Sequence, residues 1–301
     1  MVRLWELGIV DSNGGHDLIV KGHFEETGLA LDQVRKINMT TDINGFAGRL
    51  KRRENGGMIS GWVGTPDPMF VNHLAQEDFD TVVLDMQHGM WDMASAANGI
   101  AYVRLAGKPA IARIPVGDFA SASRLLDAGA SAIIAPMINS ADDARALVKA
   151  TKYPPLGERS WGPSLALNHF GLSAEDYLQT ANSLTVTIAM VETRTALDAI
   201  DEILSVDGID GIFVGPSDLS IALSNGARLA PDSAAVDQAL ATALARCRAH
   251  GKVICAFGGD GDRAGQYLKL GLDLVIAGTD TAQLRAGARA AIQTARNIAD
   301  S

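Results

Sequence analysis

From Met58 onward, short apolar runs alternate with longer stretches whose apolar residues recur at helical spacing. Eight runs stand out: MISGWVG (58–64), TVVLD (81–85), PAIARIP (109–115), SAIIAPM (131–137), LTVTIAMVE (184–192), GIFVG (211–215), KVICAF (252–257) and LVIAG (274–278). Between them lie helical patterns such as SADDARALVKATK (140–152), TRTALDAIDEILS (193–205) and DSAAVDQALATALARCRAHG (232–251). Strands alternating with helices predict right-handed βαβ units and a parallel sheet. Eight such units in roughly 240 residues match a (β/α)8 TIM barrel. A doubly wound open sheet is the competing α/β architecture, but no GxGxxG or Walker A turn follows an early strand.

The first 44 residues do not follow this beat. They are assigned as an N-terminal extension of unknown role, and residues 45–301 as the barrel. TTDINGFAGRLKRRENGG (40–57) reads as a short capped helix leading into the first strand.

Composition narrows the function classes. A hydrophobic content of 47% supports a large core, and 31 glycines suit many tight turns. The net charge of −9 argues against nucleic acid or an anionic membrane as the main partner. Cys247 and Cys255 form no CxxC and read as reduced packing residues. No run reaches the ~20 apolar residues of a membrane span, and the start lacks a basic segment followed by an apolar one. The expectation is a soluble cytoplasmic protein acting on small molecules.

In such barrels the chemistry sits at the C-terminal ends of the strands. There the chain offers Asp85, Gln87 and His88 after strand two, Arg113 ending strand three, Glu192 after strand five, Asp218 after strand six and Asp280 after strand eight. Taken singly, Glu192 also reads as a first-turn helix acid and Asp218 as an N-cap. Together they stand on adjacent strands, about 4.8 Å apart. Two ionised acids that close repel unless a cation lies between them. Oxygen donors with positions left open suit Mg²⁺ or Mn²⁺. His88 is a candidate general acid or base, to be oriented by Asp85 or by Asp127 at the end of a helix. Arg113 at a barrel mouth calls for an anionic partner. Phe257, ending strand seven, is placed among the substrate-binding residues. No lysine ends a strand, which disfavours an imine-forming aldolase.

Several stretches carry a resemblance: VVLDMQHG, ARIP, RLLDAGASAIIAPMINSADDARALVKATKYPPLGERSWGP, VETRTALDAIDEIL and VDGIDGIFVGPSDLS. From about Gly45 onward the chain resembles the HpcH/HpaI aldolases, pyruvate aldolases that depend on a divalent metal. The resemblance implies that Glu192 and Asp218 hold Mg²⁺ or Mn²⁺, with Co²⁺ also admitted. It implies that Arg113 binds the ketone or enolate oxygen, and that His88, assisted by Asp127 and near Asp85, moves a proton. Backbone amides around Gly215, Ser217 and Asp218 would dock the pyruvate carboxylate, since Pro216 has no N–H. Arg159 and Trp161 become candidates for the mouth or a neighbouring subunit's site. It further implies a homohexamer, a trimer of dimers with the last helix exchanged. Gln87 and Met190 depart from the Glu and Gln that some members carry there.

The expected reaction is reversible cleavage of a 4-hydroxy-2-oxo acid to pyruvate and an aldehyde, through a metal-stabilised pyruvate enolate. Oxaloacetate decarboxylation through the same enolate is the alternative chemistry, and a non-catalytic barrel binding a 2-oxo acid is the alternative class.

Overall fold

The computed structural model describes residues 45–300, so the expectations for residues 1–44, including the start of the first helix, fall outside the described residues. Eight parallel strands close a barrel in chain order: β1 (Met58–Val63), β2 (Thr81–Asp85), β3 (Ala110–Arg113), β4 (Ala132–Ala135), β5 (Val186–Val191), β6 (Gly211–Val214), β7 (Val253–Phe257) and β8 (Leu274–Ile276). Each of the eight apolar runs became one strand. The helices are α1 (Gly45–Arg52), α2 (Pro68–Gln76), α3 (Met93–Leu105), α4 (Phe119–Asp127), α5 (Ala141–Thr151), α6 (Ser164–Phe170), α7 (Ala174–Leu184), α8 (Arg194–Asp198), α9 (Ile200–Leu204), α10 (Pro216–Leu223), α11 (Ala234–Ala249), α12 (Gly261–Leu270) and α13 (Asp280–Ala299). The stretch 193–205 is not one helix but two, α8 and α9, which meet at Ala199.

Alternation along each strand divides the core into two layers. Trp62, Val83, Ile111, Ile134, Ile188, Phe213, Cys255 and Leu274 fill the barrel interior. Their neighbours Val63, Leu84, Ala112, Ile133, Ala189, Ile212, Ile254 and Val275 face the helices. Inward positions change character along the barrel axis. They are apolar low in the barrel and become Asp85, Arg113 and, one residue past β5, Glu192 at the C-terminal ends of their strands.

The N-terminal face is closed by α1, whose Phe46 and Leu50 join the interior cluster beside Met58 and Val186. Lys51 of α1 pairs with Asp210, 3.2 Å away, and Asp210 also takes the buried Lys152 at 2.7 Å. α13 contrasts with the other helices. Leu284 is 62% exposed and Ile292 52%, and Asp280 is its one buried residue. Among the described residues, no helix is long and apolar enough to cross a membrane.

Candidate active site

Register brings the first pair together. Asp85 and Arg113 are direct partners on β2 and β3, and both side chains point inward. Arg113 donates from Nε to Asp85 Oδ1 at 2.8 Å and from Nη2 to Oδ2 at 2.7 Å. Trp62 Nε1 donates to the same carboxylate at 3.2 Å, and the Arg113 guanidinium lies 4.7 Å from the Trp62 ring centroid. Phe257 meets Trp62 edge-on, with centroids 5.5 Å apart. Burial opposes ionisation of Asp85, but the Arg113 hydrogen bonds and charge outweigh it and hold the carboxyl below its usual range. Among the described residues, Arg113 Nη1 has no hydrogen-bond partner.

The second pair follows from β5 and β6, where Val191 and Val214 are register partners. The next residues are Glu192 and Gly215. Glu192 is 2% exposed, and its Oε1 accepts the Met137 N–H at 2.8 Å. Met137 adopts a left-handed conformation with φ 57° to deliver that donor. A Cβ on Gly215 would stand 2.7 Å from Glu192 Oε2, so the absence of a side chain there keeps the second oxygen clear. Neither acid is an ordinary cap. Thr193 caps α8 after Glu192, and Gly215 is the N-cap of α10, with Asp218 two residues inside it and exposed. Burial raises the Glu192 pKa, and the nearby Asp218 charge raises it further, while Met137 N–H and Arg113 act against both. Asp218, Arg113 and Glu192 thus share one electrostatic environment.

This donor set fits a hard divalent cation. One carboxylate is fixed by a single hydrogen bond and kept clear on its other oxygen, and the charge of a second raises its pKa, so a cation would remove their mutual repulsion. Among the described residues, no group of three or more His, Cys, Asp or Glu side chains is placed to hold a metal ion. The amides of Ser217 and Asp218 lie in the first turn of α10, where helical N–H groups lack internal partners.

The remaining candidates are distributed unevenly. His88 is exposed; its backbone N–H reaches Asp85 Oδ1 at 3.3 Å, and no described group hydrogen-bonds its ring. Gln87 Oε1 is buried without a partner. α4 carries the chain back toward the N-terminal face, so Asp127 at its end is remote from the rim and pairs with Arg159 at 2.6 Å. Trp161 packs beside it against Tyr153 and Tyr177, with centroids 5.5 and 6.2 Å away. Within one chain, therefore, neither Asp127 nor Trp161 joins His88. Asp280 is buried and tied to the backbone N–H groups of Gly64 and Thr65, a joint between β8 and β1. The buried Lys152 holds the carbonyls of Asn182 and Thr185. Two contributors escaped the rim rule: Trp62, which lies within an unremarkable apolar run, and the Met137 amide, which is backbone.

Comparison with known proteins shows the family and the fold. The profile of the family described as HpcH/HpaI aldolase/citrate lyase matches residues 59–286. A hydroxypyruvate/pyruvate aldolase of Rhizorhabdus wittichii is 41% identical over 240 residues, 80% of this chain and 94% of that protein. A 2-keto-3-deoxy-L-rhamnonate aldolase of Escherichia coli is 33% identical over 79% of this chain and 88% of its own length. The crystal structure of an HpcH/HpaI aldolase/citrate lyase family protein from Burkholderia cenocepacia superposes with a TM-score of 0.74 at 28% identity. It covers 84% of this chain and 99% of that one.

Proposed function

The chain belongs to the HpcH/HpaI aldolase/citrate lyase family and is a carbon–carbon lyase, and from that premise we propose that it reversibly cleaves a 4-hydroxy-2-oxo acid to pyruvate and an aldehyde. The observation that carries this reading is the meeting of two acids, Glu192 and Asp218, with the clamped Arg113 at one barrel rim. Relatives called hydroxypyruvate/pyruvate aldolases support a short 2-oxo acid as one of the two fragments.

Glu192 and Asp218 would hold Mg²⁺ or Mn²⁺, which when bound would supply Lewis acidity for enolate formation. The Ser217 and Asp218 amides, at the positive end of α10, bind the substrate carboxylate. Arg113 Nη1 places positive charge beside the 2-oxo oxygen, where negative charge grows as the enolate forms. Asp85 and Trp62 fix the guanidinium, so it need not reorganise during the reaction. His88 removes the C4-hydroxyl proton; the C3–C4 bond breaks, the aldehyde departs, and C3 then takes a proton to give pyruvate. Phe257 bounds the space beyond Trp62 and contributes to binding of the substrate.

In this reading the protein is a cytoplasmic homo-oligomer, a hexamer. The uncovered apolar face of α13 supports assembly, as does the separation of Asp127 from His88 within a single barrel. Asp127, and Trp161 near it, then serve a neighbouring subunit's His88.

The direct test is exchange of pyruvate C3 protons into deuterated water, followed by NMR with EDTA-stripped protein and then with Mg²⁺ or Mn²⁺. Exchange that requires the metal and vanishes in Asp218→Ala is the expected result. Exchange that is indifferent to both would overturn the proposal. A panel containing oxaloacetate then separates cleavage of hydroxy-oxo acids from decarboxylation.

A further inference from the structure

The opposite end of the barrel contains a cavity of about 420 Å³ that the proposed reaction does not use. It lies under α1, beside the turns that enter β3 and β4, and against α6 and α7. Arg49, Arg104, Lys108 and His169 line it, and among the described lining residues there is no Asp or Glu. A partly buried arginine side chain with buried, unpartnered nitrogens calls for a compensating acceptor.

Two of the lining groups lack one. Arg104 stacks over Phe170, 4.2 Å from its ring centroid, and its Nε and Nη2 are buried with no hydrogen-bond acceptor. These are the two atoms with which Arg113 clasps Asp85, the edge of a guanidinium that matches two oxygens of one anion. Ser131 is 1% exposed, and its Oγ is likewise unpartnered. Burial lowers the Arg104 pKa to about 10, which leaves it charged at neutral pH. His169 is lowered by burial and by the Arg104 charge, so the histidine is poised as a neutral hydrogen-bonding group. Lys108 already bonds the Glu77 carbonyl and adds charge at the rim of the cavity.

We propose that this cavity is an oxyanion-binding site, in which Arg104 and Ser131 receive a phosphate or carboxylate group of a small metabolite, on the face opposite the catalytic rim. Arg104 meets the ligand by turning its guanidinium on its flexible stem into the cavity it lines, exchanging an unpaired edge for a charge-assisted one. The inference stands on these residues alone and does not depend on the aldolase reading.

The test is calorimetric titration of the full chain with inorganic phosphate and, separately, with acetate and tricarballylate, at constant ionic strength. The expected result is binding of at least one probe with a dissociation constant of about 1 mM or tighter. Arg104→Gln is expected to weaken it about tenfold, and Asp218→Ala at the rim to leave it unchanged. Ser131→Ala is the milder variant, expected to weaken binding about threefold should Arg104→Gln fail to fold. Preference for phosphate over the carboxylates, or the reverse, identifies the source of the oxyanion. No binding of any probe, or binding that survives Ser131→Ala and is lost in Asp218→Ala, would overturn the proposal.

Discussion

Asp85 holds Arg113 by its Nε and Nη2 edge, at 2.8 and 2.7 Å, and leaves Nη1 for a ligand. A lysine at position 113 keeps the charge but cannot be clamped along an edge and still present a third donor. Arg113→Lys is expected to slow metal-dependent pyruvate proton exchange by about 10²–10³-fold with the fold intact. Asp85→Ala has a different signature. It strands a buried guanidinium and is expected to remove about 3–5 kcal/mol from the unfolding free energy, read from urea denaturation.

The same pair sets an acid limit. The Asp85 pKa is lower folded than unfolded, so its ionisation stabilises the native state above the unfolded value. That contribution is lost as pH falls through the lower, folded value. Comparing the unfolding free energies of wild type and Asp85→Asn across pH is the check. The wild-type advantage should be constant near neutrality and shrink below about pH 4. An advantage that grew on acidification would contradict the pairing.

Gly215 predicts a separable defect. Its backbone, with φ −91°, accommodates alanine, but the added methyl would stand 2.7 Å from Glu192 Oε2 and 3.2 Å from Met190 Cε. The carboxylate must move and the fold need not. Gly215→Ala is expected to weaken Mn²⁺ binding at least about tenfold, measured by electron paramagnetic resonance, while the apo melting temperature changes little.

The distance between His88 and Asp127 within one chain gives a test by mixing. His88→Ala and Asp127→Asn are each expected to be inactive alone. Co-expressed, they should regain activity, because some interfaces in a mixed oligomer pair an intact His88 with an intact Asp127. Activity that fails to return on mixing, with oligomers confirmed by light scattering, would place Asp127 in a purely structural role beside Arg159.

The barrel was legible because buried parallel strands leave near-continuous apolar runs, and each of the eight runs formed one strand. The positions of Asp85, Arg113 and Glu192 were legible for a related reason: a place at or just past a strand end fixes both the face and the height of a side chain, so register carries it to the rim. Asp218 comes later, in the first turn of α10, and its place follows from the short connection after β6. Asp127 and Trp161 follow a helix end and a long loop, where no such rule converts sequence position into location. Trp62 was hidden by being apolar, and its role becomes visible only when its indole N–H is seen on Asp85. The Met137 amide has no side-chain signature at all.

If the proposed oligomer covers the exposed Leu284 and Ile292 of α13, the fold acquires a dependence on concentration. A surface that is covered only by a second chain contributes stabilisation through mass action, rising with the logarithm of how much protein is present. On dilution each barrel would lose its neighbour before it lost its strands, and its melting temperature would drift downward without any change in sequence or solvent. Deleting α13 should abolish that drift and yield a protein whose melting temperature is low and the same at every concentration. Durability would then be a property of the population of chains rather than of any one of them.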